Sequence, residues 1–407
     1  MNDFVTLALV LAGGIIAVGF LGNLLFERTG FPDMFFLIML GIAFGPVLGL
    51  FDVSSVMRLA PYLAALALVF ILFDGGMRMS LYQVFAESPR ASLLAFLGFL
   101  FSVSAISLFM TYLINIPLLH AVLFGSIFGG SSSVVVISLA GKIKMSEKCS
   151  TILILESAIT DVLCIVVSLA LIEIIITGHM DYAVIVKTIA GKFSTGAVMG
   201  AIFGIFWLSI LRRVAKSPYS YMLTLAIVLL AYALSEYLGG SGPLCSLLLG
   251  MVLGNERDIY RILKKERPSD IVIDIGLRRF ESEIAFLMRS FFFVYLGLIA
   301  TINDLRTLIV GVSLALLLFA VRYGAVFVST LRSKLKEERL IMWTILTRGL
   351  AAAVLSTLPT QYVETSSEFA VLAPLYINTA VVIIISTAII TTIGSFIYQK
   401  EKREETG

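Results

Sequence analysis

At 407 residues, 59% hydrophobic and only 14% charged, the chain carries far fewer charges than the roughly 25% of a soluble domain. No soluble core could hide so much apolar surface, so an all-α polytopic membrane protein is predicted. The net charge of +3 says little by itself. Two histidines and three cysteines (Cys149, Cys164 and Cys245) without framework or metal spacing argue against a disulfide scaffold and a transition-metal site.

In chain order, apolar spans are predicted near 4–26, 32–50, 60–79, 91–114, 117–141, 150–177, 185–211, 219–238, 242–254, 283–302, 307–331, 339–359 and 369–397. Their Gly and Ala content suits packed membrane helices, and the alternation of a barrel strand is absent. The first run lacks a basic n-region and a cleavage site, so it reads as a retained helix. The stretch 255–281, with Ile259, Ile262 and Leu263 beside Arg261, Lys264 and Lys265, predicts a cytoplasmic interfacial helix. Residues 399–407 read as a short cytoplasmic tail with no soluble domain after it.

Lys and Arg test the count of thirteen transmembrane helices. Assigned alternately to two sides, the loops place 23 of the 30 basic residues on one side. Only Arg58, Lys187 and Arg306 fall on the other, and Lys192, Arg289, Arg322 and Arg348 fall inside spans. A miscounted helix would scramble this asymmetry. The positive-inside rule then puts the N-terminus outside and the C-terminus in the cytoplasm of a cell (inner or plasma) membrane.

Span 2 ends Gly41-x-x-x-Gly45 and span 9 ends Gly250-x-x-x-Gly254; span 3 closes on Gly76-x-x-x-Ser80 and span 10 on Gly297-x-x-x-Thr301. Spans 1–6 (1–177) and 8–13 (219–398) thus read as two inverted six-helix repeats, with 178–218 as connector. Inverted repeats point to a transporter with its site near the midplane. Spans 5 and 12 are each interrupted, at Gly129-Gly130-Ser131-Ser132-Ser133 and at Thr347-Arg348-Gly349. Either these are packing glycines, or both helices unwind and cross, offering dipole ends and carbonyls to a cation.

Span 6 contains Glu156-Ser157-Ala-Ile-Thr160-Asp161 followed by two or more oily turns. A carboxylate at that depth costs several kcal/mol unless paired, protonated or holding an ion. Counting about 1.5 Å per residue from the cytoplasmic ends places Glu156 about 12 Å deep in span 6 and Arg322 about 15 Å deep in span 11. A structural Glu156–Arg322 ion pair is expected. Asp161, about 140° further round the helix, is left unpaired with Ser157 and Thr160 nearby. These are hard oxygen ligands for Na⁺ or K⁺. Burial disfavours a charged Asp161 and a bound cation favours it, so proton and cation compete for one carboxylate. The bland alternative is a protonated Asp161 bonded to a helix carbonyl. Asp74, in Phe73-Asp74-Gly75-Gly76, could line the mouth, second the site, or be a plain helix-end residue. Arg289 reads as snorkelling to the interface.

Together these residues resemble the monovalent cation:proton antiporter superfamily. The resemblance rests on Gly41-x-x-x-Gly45-Pro46, Phe73-Asp74-Gly75-Gly76, the serine-rich break, Glu156-Ser157-x-x-Thr160-Asp161, Arg322 with Gly324, and Arg348-Gly349. It implies that Asp161 carries ion and proton, Ser157 is a ligand, Thr160 stabilises the site, Glu156 pairs with Arg322, and Asp74 lies close by. Two departures matter. Thr160 stands where relatives carry Asn or Asp, and a single cycling carboxylate favours electroneutral 1:1 exchange. Ser131, Ser132 and Ser133 stand where many relatives carry Thr-Asp-Pro, which resembles the potassium-linked branch and leaves Na⁺ against K⁺ open. The resemblance further implies a homodimer, with spans 1–3 and 8–10 as scaffold and spans 4–6 and 11–13 as a mobile core. Monovalent cations, protons and the bilayer are the expected partners. No cofactor, nucleic acid or enzymatic activity is expected. A cation channel and a symporter of small organic anions, using Arg348, are the competing readings.

Overall fold

The computed structural model describes residues 2–50, 60–78, 89–140, 142–143, 145–178, 182–214, 217, 219–262, 275–301, 304–364 and 366–406. The described residues are helical, with no strand among them. This is what a bilayer demands, because a helix satisfies its backbone polar groups within one segment. Among the described residues, eight helices are long and apolar enough to cross a membrane, and three shorter apolar helices accompany them.

The helices are α1 (Asn2–Thr29), α2 (Asp33–Ile42, continued by a π-helical turn Ala43–Val47), α3 (Ala60–Arg78), α4 (Pro89–Leu113), α5 (Leu118–Ile127) and α6 (Ser133–Ala140). There follow α7 (Glu147–Thr177), α8 (Tyr182–Val214), α9 (Ser220–Tyr237), α10 (Gly242–Gly254) and α11 (Glu256–Ile262). The last are α12 (Ile275–Ile299), α13 (Leu305–Ser329), α14 (Arg339–Thr344), α15 (Leu350–Thr357) and α16 (Ser367–Thr406). Local chemistry sets several ends. Ser146 begins α7 by accepting the Cys149 N–H, and Gly178 ends it in the left-handed conformation. Asp304 caps α13 through the Arg306 N–H at 2.9 Å.

The chain forms two compact units. Unit 1 comprises 1–61, 89–178 and 290–407; unit 2 comprises 62–88 and 179–289. In unit 1, α4 packs against α5, α7 and α13, and α16 packs against α13, α14 and α15. In unit 2, α8 packs along α10, and a buried core gathers Phe73, Trp207, Leu211, Val228 and Leu249. The indole N–H of Trp207 donates to Thr224 Oγ1 at 3.1 Å, so the large ring is buried without stranding its donor.

Glycines set close helix contacts within each unit. In unit 1, a Cβ on Gly41 or Gly45 would strike the backbone of α12 at Val294 or Leu298, and one on Gly297 would strike Ile38. In unit 2, a Cβ on Gly250 or Gly254 would strike the backbone of α3 at Phe73 or Met77, and one on Gly76 would strike Leu247. Each Gly-x-x-x-Gly stretch therefore lets one backbone lie directly on another.

The expectation of an interfacial helix over 255–281 is corrected on the residues described. Ile259 and Tyr260 of α11 are buried in the unit 2 core, with Arg212 stacked 3.9 Å from the Tyr260 ring and 3.2 Å from Glu256. A ring and a paired charge available within the protein offer α11 a better partner than lipid headgroups. From Ile275 the chain belongs to α12, which starts earlier than the predicted span at 283. Leu263, Lys264 and Lys265, like Arg58, Ser80, Lys144, Lys216 and Ile302, lie outside the described residues.

Substituting alanine at Gly41 or Gly250 should force these backbones apart at a cost of about 1–3 kcal/mol. Gly13→Ala, with nothing within 4 Å of its Cβ, should be neutral or slightly stabilising. Thermal unfolding in detergent separates the two; equal melting temperatures for all three variants would refute the close-contact assignment.

Candidate functional site

The site lies within unit 1, where two helices break. Helix α5 stops at Ile127 and α6 starts at Ser133; α14 stops at Thr344 and α15 starts at Leu350. The two extended segments meet directly, with the Ser132 N–H donating to the Thr347 carbonyl at 2.8 Å. Gly349 is needed at the contact, because a Cβ there would overlap the Ser132 side chain. Both breaks are thus true interruptions that touch, and not packing glycines in continuous helices.

Each interruption frees backbone groups that water cannot reach, and hydroxyls from neighbouring helices take them up. Thr160 Oγ1 accepts the Ser131 N–H at 3.2 Å. Thr391 Oγ1 accepts the Leu346 N–H at 3.2 Å and donates to the Thr344 carbonyl at 2.9 Å. Thr387 Oγ1 accepts the Arg348 N–H at 3.1 Å. Both threonines are fully buried on α16. Sequence reasoning missed this pair, although Thr387 and Thr391 are four residues apart on one face of an otherwise apolar helix.

Glu156 and Arg322, placed at matching depth by the sequence, lie together. Arg322 donates one Nη to each Glu156 oxygen at 3.2 Å, and its Nε to the Met342 carbonyl at 3.0 Å. Ser131 Oγ donates to the same carboxylate at 3.1 Å. Both charges are almost fully buried, at 1% and 5% exposure. This bidentate arrangement satisfies charge and hydrogen bonds together.

Asp161 has a different environment. It is only partly buried, and Ser133 Oγ donates to its Oδ2 at 2.8 Å. Among the described residues no Lys, Arg or His side chain lies within 4 Å of it. Of the three serines, Ser133 serves Asp161, Ser131 serves Glu156, and Ser132 is tied by its backbone to the opposite break. Ser157 is buried and its hydroxyl donates to the Ile154 carbonyl at 2.9 Å; Thr160 donates to the Ser157 carbonyl at 3.1 Å.

Arg348 is 2% exposed. Its guanidinium donates to the Gly130 carbonyl of the other break, placing a fixed positive charge at the crossing. Asp74 belongs to unit 2, where Arg78 Nε and Ser282 Oγ donate to it at 2.9 and 3.1 Å. Arg289 lies 5.5 Å from the Phe286 ring, half buried.

This geometry is that of a many-helix membrane protein with a polar site buried where two helices break. The family described as "Sodium/hydrogen exchanger, transmembrane" matches residues 14–399, and the chain belongs to that family. It is 30% identical over 360 residues to the K(+)/H(+) antiporter NhaP2 of Shewanella baltica, covering 85% of this chain and 59% of that protein. It is 24% identical to the Na(+)/H(+) antiporter NhaH of Halobacillus dabanensis, covering 88% and 90% of the two chains. The chain thus spans about three fifths of the length of the Shewanella relatives it matches. Among solved structures, the sodium proton antiporter MjNhaP1 from Methanocaldococcus jannaschii at pH 8 superposes with a TM-score of 0.75 at 21% identity, over 98% of this chain and 97% of that one. The fold is therefore shared, and the protein is a multi-pass membrane protein.

Glu156→Gln should destabilise the protein by about 3–5 kcal/mol, because it strands a buried guanidinium. Replacing both Glu156 and Arg322 by apolar residues of similar volume should recover most of the loss. Melting temperatures in detergent measure this; a single variant as stable as wild type would show that the pair carries no structural weight.

Proposed function

We propose that this chain is a secondary antiporter exchanging a monovalent cation, Na⁺ or K⁺, for H⁺, with Asp161 as the group both compete for. The observation that carries this reading is the contrast between two carboxylates five residues apart on α7. Glu156 is neutralised by a direct ion pair with Arg322, whereas Asp161, partly buried, is bonded by Ser133 and has no cationic side chain within 4 Å among the described residues, with the buried Arg348 acting on it from further away. A carboxylate so placed is neutral with a proton or with a cation, and costly with neither. If the empty charged form does not cross, each crossing carries one proton or one cation, which is electroneutral 1:1 exchange by alternating access.

The supporting residues have distinct parts. Ser133 Oγ offers a hard oxygen beside the carboxylate, and Ser157 and Thr160 belong to the wall of the site. Ser131, Glu156 and Arg322 hold the first break against α7 and α13. Arg348 offsets the carbonyl end of the first break by binding Gly130. Its attachment there argues against the anion-symporter reading, which needs a free cationic receptor. The channel reading is opposed by two breaks locked together by the Ser132–Thr347 bond.

The organisation proposed with this function is thirteen membrane spans in two inverted repeats, N-terminus outside and C-terminus in the cytoplasm of the cell membrane. Two observations support the repeat. Span 2 (α2) lies on span 10 (α12) through Gly41, Gly45 and Gly297, and span 9 (α10) lies on span 3 (α3) through Gly250, Gly254 and Gly76. Exchanging the repeats converts one pairing into the other. A homodimer scaffold of spans 1–3 and 8–10, with a mobile core of spans 4–6 and 11–13, completes the proposal. The compact units follow packing rather than repeat symmetry, and α1 and α2 fall in unit 1. Relatives named for K⁺ and for Na⁺ leave both ions in the proposal.

Dissipation of a pH gradient in proteoliposomes on adding Na⁺, K⁺ or Li⁺ tests it. Wild type is expected to exchange at a rate indifferent to a valinomycin voltage clamp, and Asp161→Asn to lose exchange while keeping its melting temperature. Full activity in Asp161→Asn would remove Asp161 from the mechanism. Cation-dependent conductance without proton movement would favour a channel.

A further inference from the structure

Exchange at Asp161 leaves a buried histidine of unit 1 unused. His120, in the first turn of α5, is 1% exposed. Both of its ring nitrogens are engaged by α16. Nε2 lies 2.8 Å from Glu368 Oε2, and Nδ1 lies 3.2 Å from the Tyr376 hydroxyl. Tyr376 also donates its hydroxyl proton to the His120 carbonyl at 3.1 Å. Phe369 packs edge-on against the His120 ring at 5.0 Å, and Phe124 stacks on Tyr376 at 3.8 Å. Of these residues only Glu368 is exposed, with 58% of its side chain accessible.

The hydrogens of this cluster can be counted. Tyr376 has one hydroxyl proton, and it goes to the His120 carbonyl. Nδ1 must then carry a proton to bond the phenol oxygen. A neutral ring protonated on Nδ1 has a bare Nε2, which would face a carboxylate oxygen at 2.8 Å, acceptor against acceptor. All three bonds are satisfied together only when the cluster holds one more proton, between Nε2 and Glu368. Without it, the ring proton must move to Nε2, and the Tyr376 hydroxyl must turn from the carbonyl to Nδ1. One proton therefore sets both the charge of the His120–Glu368 pair and the direction of the Tyr376 bond. Opposing effects act on that proton. Burial and the positive N-terminal end of α5 disfavour an imidazolium, whereas the Glu368 carboxylate favours it. Helices α4, α7 and α15 also pack against α5. Tyr112 and Glu173 are the titratable residues nearest this end of α4 and α7, α15 has none, and Tyr362 and Glu364 precede α16. The ring nitrogens themselves are taken by Glu368 and Tyr376.

We propose that His120, Glu368 and Tyr376 form a proton-binding site separate from Asp161, which latches the start of α5 to the start of α16 while it holds its proton and so makes exchange sensitive to pH. The site rests on the hydrogen count; its effect on transport rests on the antiport reading. The two helices it joins serve the two breaks. Helix α5 runs into the first break after Ile127, and α16 covers the second through Thr387 and Thr391. The sequence did not mark His120, because its partners stand 248 and 256 residues away.

The chain has two histidines, and the other, His179, lies outside the described residues. In purified full chain labelled with ¹⁵N-histidine, His179→Gln therefore leaves His120 as the one imidazole signal. Its ¹⁵N resonances distinguish the imidazolium from each neutral tautomer. His120 should titrate between about pH 5 and 8, from imidazolium to the tautomer protonated on Nε2. Adding Glu368→Gln, at an exposed position, should weaken proton binding by about tenfold or more. Should that variant fail to fold, Glu368→Asp is expected to weaken it in the same direction. A ring that stays in one form throughout, or a midpoint unmoved by the change at Glu368, would overturn the site. The latch is read from melting temperatures. Wild type should exceed Glu368→Gln below the midpoint, and the gap should close as pH rises, because a bond made by the protonated form is lost with its proton. A gap independent of pH would overturn the latch. In proteoliposomes the pH profile of exchange should move with the midpoint in Glu368→Gln; a fixed profile would overturn the regulatory role. Wild-type exchange without His120 titration sinks this site alone; titration without exchange sinks the antiport reading alone.

Discussion

Two interrupted helices lie against each other in a region where backbone amides have no water to bind, and the arrangement of unit 1 follows from how those amides are satisfied. The Ser132–Thr347 bond joins the breaks, Thr160 covers one, and Thr387 and Thr391 cover the other. The same requirement explains why α7 and α16 must lie where they do. Each brings hydroxyls to groups that would otherwise cost several kcal/mol apiece. Glycine at 349 follows from the closeness of the crossing, since no side chain fits beside Ser132.

Charge is handled by the same logic of complete or deliberate neutralisation. Glu156, Arg322 and Ser131 form a closed set in which each charged or polar group finds a partner. Arg348 is fixed to a carbonyl of the opposite break. Asp161 has no direct ion pair among the described residues: Ser133 bonds it, and Arg348 acts on it without touching it. An acid left without an ion pair beside well-matched ones carries a cost, and the proposed exchange of a cation for a proton would account for it. In unit 2 Asp74 is matched by Arg78, whereas Glu281 Oε1 is buried without a hydrogen bond among the described residues.

Much of this was legible in the sequence, and its limits have physical reasons. The oily runs, the interruptions at Gly129-Gly130 and Arg348-Gly349, and the cost of Asp161 depend on composition and on a medium of low polarity. The depth match of Glu156 and Arg322 depends on the constant rise of a helix. The choice of Ser133 for Asp161 and Ser131 for Glu156 was not legible, because within an extended break three adjacent serines point in directions that only the crossing decides. The fate of 256–262 was misread for a related reason. An amphipathic stretch shows that it has an apolar face, and only the presence of Arg212 and the unit 2 core decides whether that face meets lipid or protein.

The sequence by itself thus determined that the chain is a multi-helix membrane protein, where its helices could break, and which acid is costly at membrane depth. These are properties of hydropathy, backbone propensity and spacing, all of which act along the chain. Tertiary structure decided which hydroxyl meets which carboxylate, that Thr387 and Thr391 cover the second break, and that Glu281 Oε1 is buried without a hydrogen bond among the described residues. Those outcomes depend on residues from distant helices arriving at one point, where each polar group must be satisfied by whatever has been brought beside it.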